Sequence, residues 1–103
     1  METAPSAKAA VEQNGVNKGQ LLAFLKQKAN DSYKEYRRSE EVWQLDIAVK
    51  CARAGVELID QCYGLYTAYL GILGVFLGTR YDRTGVMPDL EDAIDVAQQA
   101  LFR

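Results

Sequence analysis

Sliding the chain 45 residues along itself, without a gap, brings Asn17–Leu58 over Cys62–Arg103, and eight of the 42 paired positions are identical. The identities are Gly19/Gly64, Ala23/Ala68, Leu25/Leu70, Tyr36/Tyr81, Arg38/Arg83, Leu45/Leu90, Ala48/Ala93 and Ala52/Ala97. Unrelated stretches of ordinary composition agree at roughly two or three such positions. Conservative pairs such as Phe24/Tyr69, Ala29/Gly74, Ser39/Thr84, Val49/Ile94 and Gly55/Ala100 extend the match. A period of this length marks stacked supersecondary units, none of which buries its apolar face alone. The expectation is two units, 17–58 and 62–103, behind an N-terminal tail of residues 1–16, which are rich in Ala and polar residues and lack a signal-peptide core.

Each unit reads as a pair of helices. In the first, Asn17 and Gln20 have the spacing of a capping box. Leu22, Leu25, Ala29, Tyr33 and Tyr36 then recur at three and four residues, one face of a helix over about 20–38. A second helix over about 44–59 turns Leu45, Ala48, Val49, Ala52, Val56 and Ile59 inward and Asp46, Lys50, Arg53 and Glu57 outward. Asp46 and Lys50 form an acid-first pair four residues apart.

The third helix, about 62–84, differs in kind. Cys62 to Thr79 is an uncharged run of eighteen residues, long enough to raise the question of a membrane span. Glycines at 64, 71, 74 and 78 and tyrosines at 63, 66 and 69 argue against one, since interfacial aromatics belong at the ends of a span. A helix flanked on both sides by neighbours is also apolar all round, which is the expectation here. The glycines, with Ala68, predict a stripe for close approach of a neighbouring backbone, offsetting about 1 kcal/mol of lost helix propensity per glycine. Gly85 suits a left-handed helix end and Arg80 and Arg83 its C-terminal turn. Pro88 and Asp89 open a fourth helix, about 88–102, with Leu90, Ala93, Ile94, Ala97, Ala100 and Leu101 as its stripe.

The chemistry of a site is sparse. There is no histidine, which removes the commonest general base and zinc ligand, and the net charge of -2 gives no electrostatic footprint for nucleic acid. Cys51 and Cys62 make neither a disulfide framework nor a metal motif and read as inert thiols of a reducing, cytoplasmic setting. The acids Asp89, Glu91, Asp92 and Asp95 read as a solvated helix face. No catalytic residue, cofactor site or metal site is expected.

The run YDRTGVMPDLEDAIDVAQQAL resembles the long-loop tetratricopeptide repeats found in arrays in filamentous fungal proteins, beside caspase-like CHAT domains or nucleotide-binding regulatory domains. Gly78, Tyr81, Gly85, Ala93, Ala97 and Ala100 fill the roles of small residue, aromatic, turn glycine and spaced alanines. In the first unit Tyr33 stands at the small-residue place and Glu40 at the turn glycine. The resemblance implies an all-α fold of two stacked hairpins, as a short solenoid or four-helix bundle. It also implies a scaffold for a protein or peptide on the surface of the first helix of each pair. The groove positions it implies are Gln27, Asn30, Lys34, Arg37 and Arg38, then Ile72, Val75, Thr79, Asp82 and Arg83. Lys34, Arg37 and Arg38 could clamp a carboxylate or simply offset the helix dipole. Tyr36 and Tyr81 read as packing residues, and Trp43 as either an anchor or a cover for its own hairpin. Two units are fewer than a solenoid usually needs, leaving Leu101 and Phe102 unshielded. Self-association into a homo-oligomer, or continuation in a longer array, would cover them.

Overall fold

The computed structural model describes residues 18–59 and 64–101. They form four helices, α1 (Lys18–Ser39), α2 (Val42–Leu58), α3 (Gly64–Thr84) and α4 (Met87–Leu101), with no strand among the described residues. The chain is therefore all-α, as two hairpins, α1–α2 and α3–α4, packed through α2 and α3. The expected tail, Asn17 of the capping box, Cys62 and Phe102 lie outside the described residues.

The duplication is plainest at the two hairpin turns. Glu40 and Gly85 both adopt the left-handed conformation, with φ of 61° and 71°. Their amides donate to the carbonyls of Tyr36 and Tyr81, each at 2.7 Å. The Ser39 hydroxyl donates to the Glu35 carbonyl and accepts from the Glu41 amide; the Thr84 hydroxyl repeats this with Arg80 and Val86. The next helix is opened by Gln44 donating to the Glu41 carbonyl and by Asp89 donating to that of Val86. Every one of these bonds maps onto its twin by the same 45-residue step. Glu40 thus takes the conformation glycine supplies freely in the second unit, at a cost of about 1 kcal/mol.

The core runs through all four helices. Leu22, Leu25 and Ala29 of α1 and Leu45, Ala48, Val49 and Ala52 of α2 are buried as their periodicity required. Tyr66, Tyr69, Leu70, Leu73, Phe76 and Leu77 of α3 close over them. Neighbours on two sides account for the low amphipathicity of α3. No helix among the described residues is long and apolar enough to cross a membrane.

Three expectations need correction. Of the α3 stripe, Gly71, Gly74 and Gly78 do not meet a neighbouring backbone: a Cβ on Gly71 or Gly78 would meet nothing within 4 Å, and one on Gly74 would make ordinary contact with Val96 at 3.7 Å, while the surroundings of Gly64 lie outside the described residues. The glycine that does admit a close neighbour is Gly55 of α2, where an added Cβ would fall within 2.7 Å of the Tyr69 Cζ. In α4 the buried apolar residue is Val96, whereas Ile94 and Ala97 of the expected stripe are exposed; Leu101 is exposed as expected of an unshielded end. The other stripe residues, Leu90, Ala93 and Ala100, are half-buried, with Ala93 and Ala100 against the core. Finally, Asp46 is engaged by Arg80 of α3 rather than by Lys50.

Candidate interaction surface

The first helices of the two hairpins touch directly. Tyr69 of α3 is 1% exposed and its hydroxyl donates to the Leu22 carbonyl of α1. Farther along, Tyr33 and Phe76 pack with ring centroids 4.9 Å apart. Burial pushes the Tyr69 hydroxyl above the usual tyrosine range, partly offset by the Lys26 backbone. Gly19, Leu22, Ala23 and Lys26 of α1 and Leu65 and Tyr69 of α3 line a shallow depression of about 240 Å³ between the helices.

The implied groove residues lie along these two helices. On α1, Gln27, Lys34, Arg37 and Arg38 are exposed and Asn30 is half-buried. Gln27 donates to Asp31 at 2.9 Å. The Arg38 guanidinium is held by Glu35, with Nε 3.2 Å from Oε2, which lowers the Glu35 carboxyl and raises Arg38. Arg37 lies 6.0 Å over the Tyr33 ring. Lys34 makes no ion pair among the described residues, so the basic turn holds one charge engaged by a carboxylate and two that are not. On α3, Ile72 is half-buried, Val75 is exposed, and the half-buried Thr79 donates its hydroxyl to the Val75 carbonyl at 2.8 Å. Asp82 and Arg83 are exposed on its last turn. Trp43 is 54% exposed in the first turn of α2, its indole donating to Glu41.

Two further features were not anticipated. Arg80 joins three helices, donating to Asp89 of α4 at 2.8 and 2.9 Å and to Asp46 of α2 at 3.0 Å. Asp89 is buried, and its bidentate pairing meets the desolvation cost that burial imposes. Those bonds, led by Asp89, raise the Arg80 guanidinium above its ordinary value against the effect of burial. A second link, Arg53 to Asp92 at 2.9 Å, joins α2 to α4 on the exposed side. Neither could be found from local spacing, since the partners are 34, 9 and 39 residues apart.

The other feature is an open trough of about 540 Å³ between α3 and α4, lined by nine residues without a charge, among them Gly71, Gly74, Ala97 and Ala100. Leu101, at its rim, is 78% exposed. Among the described residues no group of three or more His, Cys, Asp or Glu side chains is placed to hold a metal ion. Cys51 is a free, half-buried thiol whose pKa burial raises, with Lys28 opposing; this suppresses the reactive thiolate. Comparison of the chain with protein-family models, with curated proteins and with solved structures finds no match.

Proposed function

We propose that the chain is a non-catalytic protein-interaction scaffold of the tetratricopeptide type, binding an extended segment with acidic groups along the surface of α1 and α3. The observation that carries this is the direct contact of the two first helices at Tyr69/Leu22 and Tyr33/Phe76, which sets their exposed faces side by side. Lys34 and Arg37 stand exposed on the last turn of α1, where their charges are available to a carboxylate. A reducing, cytoplasmic setting is part of the same proposal, Cys51 being a free, half-buried thiol.

Titration of a fluorescently labelled acidic peptide, followed by anisotropy, tests the proposal. The double variant Lys34→Ala/Arg37→Ala should weaken binding at least tenfold and flatten its salt dependence. Unchanged affinity with unchanged helicity would remove this surface from consideration.

A further inference from the structure

The duplicated sequence places a filled groove and an open one in equivalent positions. In the first hairpin, Ala29, Ala48, Ala52 and Gly55 are buried, and α3 sets the Tyr69 ring against Gly55. One 45-residue step later come Gly74, Ala93, Ala97 and Ala100, which line the open trough between α3 and α4. Ala52 is fully buried while its twin Ala97 is exposed. What closes the first groove is a first-type helix carrying an aromatic ring at position 69. The same step backward from Tyr69 reaches Phe24 on α1, which is 61% exposed.

A knob and a hole of matched register therefore sit on opposite hairpins of one chain, the requirement for a heterologous contact between identical molecules. Charge favours the same arrangement. Helix α1 carries six basic residues against two acidic, with only Arg38 ion-paired among the described residues, whereas α4 carries four acidic and no basic, of which Glu91 and Asp95 are not paired with an arginine among them. Pairing two α3–α4 faces about a twofold axis would set acidic helices together; setting α1 on that face joins opposite signs. We infer that this chain self-associates head to tail, α1 of one copy seating in the α3–α4 trough of the next, with Phe24 over Gly74 and Ala97 and displaced from Ala100, whose methyl occupies the notch that Gly55 leaves open for Tyr69.

The joint is weaker than the contact it repeats, because Lys28 and Asp31 occupy the α1 positions equivalent to the buried Leu73 and Phe76 of α3. It is therefore concentration-dependent and, through the charges on α1 and α4, weakened by salt. It shares helix α1 and Val75 with the proposed peptide surface but depends on Phe24 and Ala97 rather than on Lys34 and Arg37, so the two are tested by different variants.

Light scattering with two variants gives the test. The mass of the wild-type chain should rise with concentration from 11.5 kDa through and beyond twice that value, since such a contact does not close on a pair. Phe24→Glu blocks the knob and Ala97→Glu the trough, both at exposed positions, and each alone should remain at 11.5 kDa. An equimolar mixture, with one knob and one trough intact, should yield a species of twice 11.5 kDa and nothing larger. A wild-type chain monomeric at millimolar concentration would overturn the inference, whatever else fills the trough. So would a Phe24→Glu variant that still pairs, which would assign the face to a twofold dimer. Should either glutamate variant lose helicity, Phe24→Ala and Ala97→Gln carry the same comparison, with reduced association expected in place of none.

Discussion

The two hairpins share their turns bond for bond, yet they differ in what surrounds their second helices. In α2 the small residues are buried beneath α3; in α4 their twins line an uncovered trough. Local hydrogen bonding is thus set within a unit, while burial is set by what stands beside it. Position in the stack, rather than residue type, decides whether an alanine is core or surface.

Substitutions at paired sites probe this difference. The largest effect is expected at the junction that only the second hairpin possesses. Arg80→Ala strands the buried Asp89 carboxylate and should cost about 3 kcal/mol by denaturant titration. The Glu35 twin of Arg80 is a surface group, and Glu35→Ala should leave the unfolding midpoint unchanged. If the two variants cost the same, the junction does not stabilise the fold.

Next comes the Tyr69 notch. Gly55→Ala forces the ring aside and should cost about 2 kcal/mol, although alanine is the better helix former. A gain in stability would show that α2 and α3 separate easily. The smallest effect, of opposite sign, is expected for Gly71→Ala, where the added methyl meets open space and helix propensity should raise stability by about 0.7 kcal/mol. Calorimetry on the pair would show how strongly neighbour contact, rather than propensity, governs each glycine.

Much of this was legible in the sequence. The period, the four helices and the inward residues of α1 and α2 follow from spacing alone, because both helices of that hairpin are packed against a neighbour. The same reasoning misassigned the α4 stripe, since periodicity identifies an apolar face without saying that anything covers it. The α3 glycines misled for a related reason: a helix can carry glycine where space is merely open. Gly55 was the reverse case, an isolated glycine whose role depends on a ring fourteen residues away. The groove residues on α1 and α3 could be named from the family resemblance. Arg38 with Glu35 and Arg37 over Tyr33 lie three and four residues apart, so spacing permits them, but which neighbour each cation takes depends on rotamers.

Repeat arrays can melt piecemeal, one unit fraying while the next persists. Arg80 works against that here, because the guanidinium that fastens α3 to α4 also grips α2. Loss of either hairpin dismantles the junction for both, which couples their fates and favours a single all-or-none transition.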